Sequence, residues 1–226
     1  MRFPIPTQRT ELMSLLDESR RLRSVYQALL ARESDGDSAH DLAHLIRVGL
    51  WTARILGDEN QTESAIAAAL LHDLVNVPKN HPDRAKASQF SAEAASPILT
   101  EAEFANVDEI TTAIRQHSFS RGEKPESALG KALQDADRLE ALGSIGIMRT
   151  YSTGVRMGTR YFHPEDPWGH NRPLDDSAFS LDHFFIKLLR LPDTMNTAAG
   201  REEAMQRLKP MHAFIDSLER ELGDSR

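Results

Sequence analysis

His40, His44 and Arg47 are spaced i, i+4 and i+7, so a helix through them places all three on one face. A second helical run, Ala67-Ala68-Ala69-Leu70-Leu71, ends in the adjacent pair His72-Asp73. That run is small and aliphatic all round, the signature of a helix enclosed on every side. Burying a carboxylate and an imidazole at its end is costly unless they are paired or hold a cation. Further along, Asp135 and Asp137 fall in a helical pattern whose apolar stripe is Leu129, Leu133, Ala136 and Leu139, with Asp137 at the stripe's edge. In chain order, His44, His72-Asp73 and Asp137 supply two imidazoles and two carboxylates. Such a set can hold one divalent ion and leave positions open for water and substrate. A core histidine, or an Asp137–Arg47 or Asp137–Arg138 ion pair, explains one residue at a time but not the set.

Bulk composition narrows the chemistry. The 226 residues include no cysteine, which excludes disulfides and thiolate ligands and leaves any metal to His, Asp and Glu. Imidazole and hard oxygen ligands suit Mn, Ni, Co, Fe, Mg or Zn. A net charge of −7 argues against a broad nucleic-acid-binding face. No apolar run approaches the ~20 residues that span a bilayer, and Met1–Leu16 lacks the pattern of a signal peptide. The expectation is a cytoplasmic protein with no membrane or nucleic-acid partner, with a homodimer left open. An apolar fraction of 40% and a charged fraction of 27% are ordinary for a globular chain, and one domain over 1–226 is expected.

The elements that must position these residues read as helices throughout. Residues 8–34 predict a first helix. A second runs from the caps at Asp37 or Ser38 to Leu56 and stops at Gly57. The third is capped by Asn60 or Thr62 and ends before Pro78. After a polar loop at 79–88, helices are expected at about 89–100 and 105–118, the latter with Val107, Ile110, Ile114 and His117 on one face. A loop at 119–126 leads to a helix over 127–142, closed by Gly143. Residues 153–181, rich in glycine and proline, predict a long irregular segment of the kind that often serves as a lid. Helices over 182–190 and 198–222 complete an all-α fold. The aromatic group Tyr161, Phe162, Trp168, Phe179, Phe184 and Phe185 is expected in core or lid packing.

Four stretches now stand in order: His40-Asp41-Leu42-Ala43-His44-Leu45-Ile46-Arg47-Val48, Leu70-Leu71-His72-Asp73-Leu74, Ile114-Arg115-Gln116-His117-Ser118-Phe119, and Gln134-Asp135-Ala136-Asp137-Arg138-Leu139-Glu140-Ala141-Leu142-Gly143. With the pattern H…HD…D, the chain resembles the HD-domain phosphohydrolase superfamily over roughly residues 20–150. The likeness continues through Glu165-Asp166-Pro167 and Arg172-Pro173-Leu174-Asp175-Asp176. These stretches resemble a small bacterial branch of single-domain HD hydrolases, some of which are nucleotide pyrophosphohydrolases.

The resemblance implies that His44, His72, Asp73 and Asp137 are the metal ligands. Asp137 is preferred to Asp135 because the family aspartate directly precedes Arg-Leu. Dinuclear relatives use additional histidines, and only His117 stands in the corresponding region, so one divalent ion is expected. Members that hydrolyse stringent-response nucleotides carry an acidic pair where this chain has Asn76 and Val77, a departure from that activity. On this reading Asp73 helps take a proton from the attacking water, while Lys79, His117 and Arg172 offset charge on the phosphoryl oxygens. His40 lines the mouth of the site, and Arg47 and Arg138 orient the metal-binding carboxylates. His183 and Lys187, at i and i+4 on the following helix, face the pocket. The implied reaction is hydrolysis of a nucleoside triphosphate to monophosphate and pyrophosphate. Phosphatase action on nucleoside 5'-monophosphates, cyclic-nucleotide phosphodiesterase action, and a non-enzymatic nucleotide-sensing module that keeps its metal are the alternatives.

Overall fold

In the computed structural model, which describes residues 2–32, 42–75, 77, 81–118 and 123–223, the alanine-rich run forms helix α4, Thr62–Leu71. Every residue from Ala65 to Leu71 is fully buried, as an all-apolar helix requires. Small side chains permit close approach by α3, Leu42–Leu56. A methyl group placed on Gly49 of α3 would already touch Leu12 at 3.4 Å and Ala69 at 3.7 Å. Around this pair stand α1, Arg9–Glu18, α2, Arg20–Leu30, α5, Ala87–Glu101, and α6, Val107–Gln116, and the next helix is α7, Ala128–Leu139. One apolar core joins them, with Leu12, Leu16 and Leu22 from α1 and α2, Ile66 and Leu70 from α4, Leu99 from α5, Ile110 and Ile114 from α6 and Leu129 and Leu133 from α7.

The chain divides into two compact units, Met1–Asp137 and Arg138–Arg226. The second contains α8, Gly143–Met157, α9, Ser180–Ile186, a 3-10 segment, Leu188–Thr194, and α10, Ala198–Leu222. Its interior is aromatic: Phe184 stacks on Phe214 at 5.9 Å between centroids, and Tyr151 meets Phe214 edge-on at 6.0 Å. Burial raises the Tyr151 phenol to about 12. The fold is all-α, with no strand among the described residues beyond one isolated bridge, Arg160–Phe179. Among the described residues no helix is long and apolar enough to cross a membrane.

Three of the boundaries that differ from the sequence reading have a clear local cause. The single helix expected over 8–34 is two helices, broken at Ser19, whose extended backbone (φ −78°, ψ 119°) lets its hydroxyl accept from the Leu22 amide and cap α2. Gly143 does not close α7: that helix ends at Leu139, and Gly143, with φ +71°, opens α8. The irregular segment is shorter than 153–181, because α8 runs through Thr153 to Met157 and stops at Gly158, whose φ of +77° favours glycine. Past Gly158 the chain is fastened to the start of α9 by the Arg160 amide donating to the Ala178 carbonyl and the Ser180 amide donating to the Arg160 carbonyl.

Candidate metal centre

Within the first unit the ends of α4, α6 and α7 and the body of α3 bring five side chains together. His44 projects from α3 and is 1% exposed, while His72, the residue capping the C-terminus of α4, is 0% exposed. His72 Nε2 lies 3.4 Å from Asp73 Oδ2 and 3.8 Å from Asp137 Oδ1. His44 Nε2 is 3.7 Å from the same Asp137 oxygen. His117 caps the C-terminus of α6, and its Nε2 is 3.6 Å from Asp73 Oδ1. The His44 and His72 rings are 5.4 Å apart, and His72 meets His117 edge-on at 4.8 Å.

Two of these imidazoles are fixed in the same way. His72 Nδ1 is 2.7 Å from the Ala69 carbonyl and His117 Nδ1 is 2.6 Å from the Ile114 carbonyl. A carbonyl only accepts, so each Nδ1 carries a hydrogen, and in the neutral ring the lone pair sits on Nε2. Each histidine thus folds back on the last turn of its own helix and aims Nε2 at carboxylate oxygens. His72 Nε2 is buried and makes no hydrogen bond among the described residues. A lone pair facing two carboxylates is repulsive until a cation lies between them, so the donor set fits a divalent ion of the oxygen- and imidazole-binding kind. In the absence of an ion a proton takes that place. Burial works to strip it from His72, but Asp73 and Asp137 outweigh burial and raise the imidazole to about 9. Burial likewise works to raise Asp137, yet His72, with help from His44 and His117, holds its carboxyl well below the usual range.

The donor atoms fall into two groups of three, His44–His72–Asp137 and His72–Asp73–His117, each with its atoms within 4.8 Å of one another. His72 belongs to both, and Asp73 stands with His117 rather than with His44. The sequence reading turns His117 inward and casts it as a substrate contact. It is also the histidine that stands where dinuclear relatives have an additional ligand, and its place in a donor group agrees with that position. Asp135 is fully buried and belongs to neither group.

Among the described residues, the other expected site residues belong to neither donor group. Arg47 is half-buried on α3, one turn beyond His44. Arg138 Nη1 donates to the Thr194 carbonyl. His40 and Lys79 fall outside the described residues. Arg172, expected as a phosphate clamp, has a carboxylate for its partner. Its guanidinium forks onto Asp182 at 2.5 and 2.8 Å, donates to the Asp166 and Pro173 carbonyls, and lies 4.8 Å over the Phe179 ring. Asp182 is fully buried, so Arg172 neutralises a carboxylate inside the second unit, and its fork is committed there. His183 pairs with Asp176 at 2.8 Å, and Lys187 terminates α9.

Comparison with known proteins places these observations in a family. Residues 41–142 match the HD domain. YpgQ of Bacillus subtilis, a curated but uncharacterized protein, is 34% identical over 221 residues, covering 93% of this chain and 96% of its own. The crystal structure of that protein in complex with ADP is similar to this one, with a TM-score of 0.67 at 30% identity over 89% of this chain and 96% of the other. An HD-superfamily hydrolase from Bacillus thuringiensis has a TM-score of 0.68 at 29% identity, covering 92% and 99% of the two chains.

Proposed function

This chain belongs to the HD-domain phosphohydrolase superfamily, a group of metal-dependent hydrolases, and we propose that it hydrolyses nucleoside triphosphates to monophosphate and pyrophosphate. The observation that carries the metal-dependent part is the buried His72 Nε2 lone pair, held by the Ala69 carbonyl against Asp73 and Asp137. Support for a nucleotide comes from the ADP complex of the Bacillus subtilis relative.

His44, His72, Asp73 and Asp137 would hold the ion. When bound, a divalent ion supplies Lewis-acid activation of water and polarises a phosphoryl oxygen. Asp73 is partly exposed, so a water can reach its carboxylate and hand over a proton there. His117, fixed by Ile114, presents Nε2 on the far side of Asp73, where it can receive that proton or meet a phosphoryl oxygen. The His72–Asp73–His117 group also favours a second reading of the centre, in which Asp73 and His117 would take part in holding a further ion.

The test is a panel of nucleotides and divalent metals with wild type and a His72→Ala, Asp73→Ala double variant. Pyrophosphate release from nucleoside triphosphates, lost in the double variant, is the expected result. Orthophosphate release from monophosphates would move the assignment to the phosphatase alternative. Full activity in the double variant would sink the metal-centre reading.

A further inference from the structure

The aspartate at the end of α7 depends on what holds that helix end. Asp137 lies in the last turn of α7, two residues before its final residue, Leu139. The closing carbonyls of a helix lack partners within the helix. In α7 the Arg138 and Leu139 carbonyls accept from the Ala141 and Leu142 amides at 3.1 and 3.0 Å, and side chains add to that support. Here the turn is pinned. Arg207 Nη1 donates to the Leu139 carbonyl at 2.7 Å, while Arg207 Nε donates to Glu203 Oε1 at 2.8 Å. The next residue, Glu140, is a 2% exposed carboxylate with Arg149 at 3.7 Å and Arg207 at 3.9 Å. Arg138, immediately after Asp137, donates to the Thr194 carbonyl. Gly143 leaves the space the Arg207 stem occupies, since a methyl group there would meet it at 3.4 Å.

A guanidinium on a C-terminal carbonyl is favourable twice over, as a hydrogen-bond donor and as a cation at the negative end of the helix dipole. Arg207 also balances the buried Glu140. Neither residue belongs to the donor groups, and neither is explained by packing alone: a methionine would fill the same volume without charge. Ligand geometry at a metal centre tolerates displacements of only about 0.5 Å. We infer that Arg207 is a positioning residue for the metal centre, acting by capping the helix turn that presents Asp137. The inference rests on the proposed metal-binding role of Asp137.

The experiment measures Mn(II) affinity of the full chain by electron paramagnetic resonance, alongside thermal unfolding, for wild type and three variants. In Arg207→Met the guanidinium's hydrogen bond and charge at the Leu139 carbonyl are lost, and affinity should fall by about tenfold, the lower end of the range for residues that orient metal ligands. Arg207→Lys keeps one donor and the charge and should recover most of that loss. Thr197→Ala removes the side-chain cap on the Gly200 amide at the start of α10. It should lower the unfolding temperature and leave Mn(II) affinity within about twofold of wild type, because it weakens the same unit without touching α7. If Arg207→Met binds Mn(II) as wild type does, or if Thr197→Ala weakens binding as much, the inference is overturned. Should Arg207→Met unfold, Arg207→Gln, which keeps a donor without the charge, takes its place: affinity reduced several-fold beyond Thr197→Ala supports the inference, and affinity equal to wild type overturns it. Wild type that binds no Mn(II) at all would instead overturn the metal centre itself.

Discussion

In the metal-free protein a proton on His72 should compete with the ion for the same lone pair. With Nδ1 committed to the Ala69 carbonyl, Nε2 is the atom both must use. Raised from 6.5 to about 9 by Asp73 and Asp137 against the opposing effect of burial, His72 is protonated at neutral pH. Binding an ion at pH 7 therefore displaces a proton held with a preference of about two pH units, roughly 3 kcal/mol at 1.36 kcal/mol per unit. Apparent affinity should climb about tenfold per pH unit from 7 toward 9, about 100-fold in all, and flatten above that. Asp137 adds nothing to this slope, since its carboxyl is held ionised well below the range tested. Isothermal titration of Mn(II) in buffers of differing ionisation enthalpy reads both quantities, with about one proton released per ion at pH 7 and few above 9.5. Affinity that is flat between pH 7 and 9, or binding without proton release, would refute the geometry argued for His72. The stability of the metal-free protein depends on the same residue with a defined sign. A raised pKa stabilises the fold fully below about 6.5, and that contribution is lost as pH rises through about 9. Metal-free protein should thus unfold at lower temperature at pH 9.5 than at pH 6.5, with the bound ion closing the gap.

Two further outcomes separate roles that the sequence alone could not. Arg172→Met leaves Asp182 buried without its partner and should cost about 3–5 kcal/mol of stability by denaturant unfolding, while KM for nucleotide changes little in the folded fraction. A large rise in KM without loss of stability would restore the phosphate-clamp role. His117→Gln should leave binding of the first Mn(II) within about threefold and lower kcat by about 100-fold, the scale of a lost proton-transfer group. Loss of that first ion would place His117 among its ligands.

How much of this was legible before the structure depends on how local each cause is. The burial of α4 was readable because its composition leaves no polar face, and a His-Asp pair at the end of such a helix has few alternatives. The partners His44 and Asp137 were readable from helical spacing and from the family pattern. The break at Ser19 was not, because leucines continue at helical spacing across it and the deciding event is a side-chain cap worth about 1 kcal/mol. Arg172 is ambiguous in sequence for a related reason. An arginine in a glycine- and proline-rich segment carries the same fork whether it meets a phosphate or a buried carboxylate, and Asp182, ten residues on, reads in sequence as an exposed first-turn acid. Arg207 was invisible altogether, lying 68 residues from the carbonyl it caps. The division is physical. Residues that must become donor groups are confined to few types and to helix ends and faces, so their chemistry shows in the sequence. Residues that hold those helix ends in place need only a donor and a charge, and the contact that selects them exists only once the chain has folded.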